Sequence, residues 1–163
     1  ILDLFLLSIF YVYRIISGII VWESSISIWT LGFTFFFFFS LGCLKRWTEV
    51  SSLAAKENNV TKAGGYSLED ERLLFISGLT SAFLSNAIFL LYGVNSFDLD
   101  TLTSCLVFFL MSLLLLFFLI KIWSKGTQGE IGHDPVTYVL QTRWTQLWSI
   151  LFIFGLVILG KTQ

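Results

Sequence analysis

The chain has 163 residues, of which 56% are hydrophobic, 18% aromatic and only 13% charged, whereas about a quarter of residues are charged in ordinary soluble domains. A domain this small has too little interior to hide so much apolar surface. A soluble enzyme, a nucleic-acid binder and a disordered linker are thereby excluded, and a lipid bilayer is the expected environment. The formal net charge of −1 also argues against a polybasic role at a membrane surface.

Five apolar stretches of roughly 20 residues, each able to cross about 30 Å of hydrocarbon, fall near 1–22, 26–44, 73–94, 101–123 and 143–160. They are too long for strands and show no period-2 alternation, which excludes an outer-membrane barrel. The expected class is an all-α integral membrane protein with five transmembrane helices. All six Trp (Trp22, Trp29, Trp47, Trp123, Trp144, Trp148) fall at proposed span ends, where amphipathic indoles prefer the headgroup level. Cys43 and Cys105 both lie in apolar runs, so neither a disulfide framework nor a metal cluster is indicated.

The first stretch begins at Ile1, and the sole Met is Met111. It holds Asp3 and Arg14 and has no basic n-region or cleavage site. The expectation is a C-terminal portion of a longer membrane protein. Arg14 sits mid-span, where a charge costs about 2.5–3.5 kcal/mol and normally faces a bundle interior or a wet cavity. It can hold the bundle together through a carboxylate, or it can bind an anion or line a pocket. Asp3 lies eleven residues earlier, about 16 Å along a helix, too far to pair with it.

The connections alternate in charge. Those at 23–25 and 95–100 carry Glu23, Asp98 and Asp100 with no cation, whereas 45–72 carries Lys45, Arg46, Lys56, Lys62 and Arg72. Segment 121–143 adds Lys121, Lys125 and Arg143. The positive-inside preference makes 45–72 and 124–142 cytoplasmic loops and leaves the C-terminus outside. The sequon Asn59-Val60-Thr61 then faces the cytoplasm and is a chance match.

Lys45, Arg46 and Glu49 share a helix surface at i,i+3 and i,i+4 spacing, suited either to anchoring at the membrane face or to a phosphate. Gly64-Gly65-Tyr66 followed by Glu69, Asp70 and Glu71 offers a turn, an aromatic and carboxylates ahead of the third span. Such carboxylates cap a helix N-terminus or ligate Mg²⁺ together with phosphate oxygens. Within that span Ser77, Ser81 and Ser85, with Gly78, Ala82 and Asn86, read as a packing stripe. Asn86 is its one candidate for lining a pocket. His133, in a polar loop, reads as solvated.

Arg14 with Gly18, Leu44-Lys45-Arg46-Trp47-Thr48-Glu49-Val50, Gly65-Tyr66 with Asp70, and Gly129-Glu130 with Asp134-Pro135 and Arg143 resemble the C-terminal half of a UbiA-superfamily membrane transferase. The subgroup most resembled is the decaprenyl-phosphate phosphoribosyltransferase-like one. The resemblance implies a bundle of about nine helices of which these are the last five, multi-pass in the cell's inner (plasma) membrane with a cytoplasmic active site. It implies Mg²⁺ as cofactor and a polyprenyl phosphate or pyrophosphate lipid as substrate. The expected reaction is 5-phosphoribosyl transfer from phosphoribosyl pyrophosphate to polyprenyl phosphate. The alternatives are prenylation of an aromatic acceptor such as 4-hydroxybenzoate, and a non-catalytic membrane subunit or small transporter. On this reading Lys45, Arg46 and Glu49 are catalytic, Arg14, Tyr66, Asn86 and Arg143 bind substrate, and Asp70 is the candidate metal ligand. Two departures stand out. No aspartate-x-x-x-aspartate occurs between Lys45 and Asp70, and Thr142 precedes Arg143 where the subgroup has Asp.

Overall fold

The computed structural model describes residues 2–22, 27–56, 62–63, 66–67, 70–96, 102–131, 137–138 and 142–161. Five long helices dominate: α1 (Leu2–Val21), α2 (Ile28–Lys56), α3 (Asp70–Ser96), α4 (Leu102–Thr127) and α5 (Arg143–Lys161). Four segments are long and apolar enough to cross a membrane: Leu2–Val21, Ile28–Ser52, Asp70–Asn95 and Ser104–Thr127. The chain is therefore an all-helical protein of membrane character. The fifth expected span is a helix too, but it is not among these four.

The helices outrun the apolar stretches. A 29-residue α2 is about 43 Å long, against about 30 Å of hydrocarbon. Segment 45–56, expected to be loop, is its last three turns. Lys45 lies seventeen residues beyond Ile28, about 26 Å along the axis, within the apolar segment Ile28–Ser52. Polar residues continue a helix as readily as apolar ones once its nucleus exists, so hydropathy marks the bilayer, not the helix end.

Beyond α2 a two-residue pair forms, β1 (Lys62–Ala63) antiparallel to β2 (Tyr66–Ser67), with Lys62 opposite Ser67 and Ala63 opposite Tyr66. The backbone of this pair lies against both α2 and α3. Only a turn was expected here.

Neighbouring helices pack antiparallel. The start of α1 meets the middle of α2, where Leu4 Cδ2 lies 3.2 Å from the position a Cβ on Gly42 would take. Farther along, Tyr11 stacks on Phe38 with centroids 3.8 Å apart and planes 2° off parallel. The α3 stripe behaves as packing. Ser81, Ala82, Ser85 and Asn86 are buried, and Ser77 Oγ lies 3.6 Å from Cys43 Sγ on α2. With no hydrophobic drive between helices in lipid, small residues and interhelical hydrogen bonds hold such contacts.

Trp123, near the end of α4, is tied into the bundle. It is buried, its Nε1–H donates to Ser40 Oγ at 3.1 Å, and its ring packs edge-on to Phe75. The helix runs another turn past it to Thr127, which leaves the indole inside the bundle, where its N–H needs a partner. Trp22 fits the expectation, being 84% exposed at the end of α1.

The end of α4 is closed by a Schellman motif. Gly129, at φ 72°, donates to the Gly126 carbonyl at 3.0 Å, and Glu130 N–H reaches the Lys125 carbonyl at 3.2 Å. The left-handed backbone at Gly129 is one that an L side chain resists.

Candidate functional site

The charged cluster gathers at the end of α2. Arg46 Nη1 donates to Glu49 Oε2 at 2.8 Å, the i,i+3 contact expected from spacing. The same guanidinium is also held across the helix pair, with Nε 3.4 Å from Asp3 Oδ2 on α1. Asp3, Arg46 and Glu49 side chains are 46%, 31% and 26% exposed, so the network is partly shielded and still open to water. Asp3 enters because α1 and α2 are antiparallel, which places residue 3 beside residue 46.

Lys45 is half-buried on the neighbouring face, and its carbonyl accepts from Thr48 Oγ1 at 2.8 Å. Among the described residues no carboxylate lies within ion-pair distance of Lys45. The cluster thus holds two cations and two carboxylates, with the guanidinium fixed by both acids and the ammonium available. A fixed fork offers bidentate geometry, whereas an ammonium acts as a movable point charge.

Arg14, Asn86 and Arg143 do not converge on this cluster. Arg14 is exposed on α1, its guanidinium carbon 5.5 Å from the Tyr11 ring centroid. The buried stripe of α1 runs through Leu4 and Ser8, and Arg14 falls outside it, on the outer surface of these helices, not in an interior. Asn86 is buried, and its Oδ1 accepts from Ser112 Oγ at 3.2 Å, which ties α3 to α4. It lines neither of the two cavities described below. Arg143 is the exposed first residue of α5.

Asp70 opens α3, with Glu71 beside it, where carboxylates complement the helix dipole. Tyr66 lies in β2 opposite Ala63; its side chain lies outside the described residues, as do Gly64, Gly65, Glu69, His133, Asp134 and Pro135. Among the described residues no group of three or more His, Cys, Asp or Glu could hold a metal ion. Asp3 and Glu49 are already engaged by Arg46, so the described carboxylates do not by themselves fit a Mg²⁺ site.

A second polar constellation was missed in the sequence. Lys121 and Lys125 on α4 line a cavity of about 480 Å³ with Tyr138, Thr142 and Thr145. Their i,i+4 spacing was a usable signal, since it puts both on one helix face. Lys125 Nζ is 2.7 Å from Glu130 Oε1. No protein-family model, curated protein or solved structure matches this chain.

Proposed function

We propose that the protein is a membrane transferase of the UbiA type acting on a polyprenyl phosphate, with phosphoribosyl pyrophosphate as donor. The observation that carries this reading is the Lys45–Arg46–Glu49 cluster in the second half of α2, its guanidinium held by Asp3 and Glu49. A lipid phosphate has its head in the interface and its chain in the bilayer. Lys45 meets the anionic oxygens as a point charge. Arg46, orientated by two carboxylates, holds its guanidinium in a fixed direction.

In the reaction a phosphate oxygen of the polyprenyl phosphate attacks the anomeric carbon of the ribose. The bond from that carbon to pyrophosphate breaks, and pyrophosphate departs with the bonding pair. Negative charge builds on the leaving group, and fixed donors in a partly shielded site stabilise it better than water does. No step is assigned to Mg²⁺ on these residues, given the poor fit above.

The test is steady-state turnover of polyprenyl phosphate with phosphoribosyl pyrophosphate at matched expression. Arg46→Lys, which keeps the charge and loses the fork, should lower turnover on the order of 10²–10³-fold, by analogy with loss of one transition-state donor. Lys45→Ala should be comparably damaging. Near-normal rates in both variants would leave these residues as cationic anchors of α2. Turnover only with an aromatic acceptor and a polyprenyl pyrophosphate would replace the phosphoribosyl chemistry with prenylation.

A further inference from the structure

Between α4 and α5 lie two cavities that share the walls Phe118 and Trp148. One, of about 340 Å³, is lined by Phe33 and Phe37 of α2, Leu114, Leu115 and Phe118 of α4, and Ser149 and Phe152 of α5. Ser149 is its one polar side chain, and that hydroxyl already donates to the Thr145 carbonyl at 2.9 Å. The other cavity, of about 480 Å³, carries Lys121, Lys125, Tyr138, Thr142 and Thr145. Both volumes fall in the range of ordinary ligand sites, about 300–1,000 Å³.

The two compartments are stacked along α4. Leu114, Phe118, Lys121 and Lys125 follow one another at intervals of four, three and four, one face of the helix. From Leu114 to Lys121 is about 10 Å along the axis, and Lys125 stands in the last turn before the Gly129 cap. The cleft therefore grades from aromatic within the apolar span to cationic at its end. Lys121 Nζ lies 5.5 Å from the Phe117 ring centroid, and among the described residues no carboxylate is within ion-pair distance of it. Lys125 is part-neutralised by Glu130, which leaves the polar compartment with a net positive charge.

We infer that this cleft binds an anionic phospholipid of the surrounding leaflet, its phosphate at Lys121 beside the Tyr138 and Thr142 hydroxyls and one acyl chain in the aromatic compartment. A free inorganic anion would leave the apolar compartment unfilled, and an uncharged lipid would leave Lys121 without a counter-charge. Neither cavity is lined by Asp3, Lys45, Arg46 or Glu49, so this site is separate from the cluster on α2 and does not rest on the transferase reading.

The experiment is native mass spectrometry of the full chain in neutral detergent, titrated with phosphatidylglycerol or phosphatidylcholine. One phosphatidylglycerol should bind about tenfold more tightly than phosphatidylcholine, the effect of roughly one and a half lysine charges at a membrane surface. Lys121→Gln with Lys125→Gln should bring phosphatidylglycerol down to the phosphatidylcholine level, whereas Arg72→Gln, which removes one positive charge at an exposed residue of α3, should not. Ser149→Trp, which fills the aromatic compartment and keeps both lysines, should weaken both lipids; Leu114→Trp is the second filling variant should that one fail to fold. Equal binding of the two lipids by the wild type, or equal losses from the lysine and Arg72 variants, would overturn the site. Displacement of phosphatidylglycerol by inorganic phosphate would show that no tail is held. Displacement by farnesyl phosphate at lower concentration than by phosphatidylglycerol itself would assign the cleft to an isoprenoid phosphate instead. Either result ends the phospholipid assignment.

Discussion

Where α3 meets its neighbours, small residues recur, Ser77, Gly78, Ser81, Ala82 and Ser85, and the fit is close enough that Gly78 has no room for a Cβ. Where α5 meets α4 the facing side chains are part-exposed rings, Phe117, Phe118, Trp148 and Phe152, and two cavities remain between them. In lipid, helices gain little from burying apolar surface against each other. Small residues permit backbone approach and collect dispersion energy over many atoms, whereas stiff rings meet at few points and leave gaps. One junction is thus built to be fixed and the other to admit a guest.

That contrast is most directly broken at Gly78. A Cβ there would lie 2.5 Å from Trp123 Cζ2 and 2.6 Å from Cys43 Cβ. Neither neighbour can yield cheaply, since Cys43 is on the α2 backbone side of the contact and the Trp123 indole is pinned by Ser40. Gly78→Val should therefore cost about 3 kcal/mol or more, at the upper end of overpacking effects. Gly18, with nothing within 4 Å, should tolerate Ala with a change of well under about 1 kcal/mol, in the stabilising direction for a helix interior. Thermal unfolding of both variants in the same detergent checks the pair. Similar melting temperatures for the two would show that the α2–α3–α4 junction is not close-packed.

A smaller effect is expected at the polar tie between α3 and α4. Ser112→Ala removes the donor to Asn86 Oδ1 and leaves a buried amide short of a partner. Hydrogen bonds between helices in lipid average about 0.6 kcal/mol and reach about 1.7, so a loss of about 1 kcal/mol is expected. Asn86→Leu in the Ser112→Ala background should recover part of it, because both polar groups are then gone. Further loss in the double variant would mean that Asn86 has a second role at this position.

How much of this was legible in the sequence depends on the distance over which each contact is made. The membrane character and four of the spans followed from local hydropathy, and the Arg46–Glu49 pair from helical spacing. Asp3 was visible as a charge in an apolar run, yet its pairing with a residue 43 positions away needs the register of two antiparallel helices, which spacing within one helix cannot supply. The burial of Trp123 was missed for a related reason, because the indole's partner, Ser40, is on another helix. The cleft needs three helices at once, since Phe33 and Phe37 of α2 close it from the side. The role of Arg14 was argued from cost alone, and cost says that a charge wants a partner without saying which face it takes.

The contact that joins α1 to the cluster should show the smallest effect, and it separates fixing from admitting at a single residue. Arg46 is bound to Glu49 on its own helix and to Asp3 across the helix pair, and the Asp3 contact is the longer and more exposed of the two. Pairs open to water contribute about 0.2–1 kcal/mol, so a double-mutant cycle on unfolding with Asp3→Asn and Arg46→Gln should give a coupling of about 0.5 kcal/mol. Asp3→Asn keeps the side-chain shape and an oxygen acceptor, so it reports the charge rather than the packing. The register of α1 on α2 is held as well by Leu4 against Gly42 and by Tyr11 on Phe38, which is why stability should move so little. Turnover is a different measure. If Asp3 holds the guanidinium in direction, Asp3→Asn should lower turnover more than its stability loss accounts for, and Asp3→Glu should restore part of it. A stability loss of about 2 kcal/mol with unchanged turnover per folded molecule would reverse this assignment, making Asp3 a tie between helices and leaving Glu49 alone to orientate Arg46.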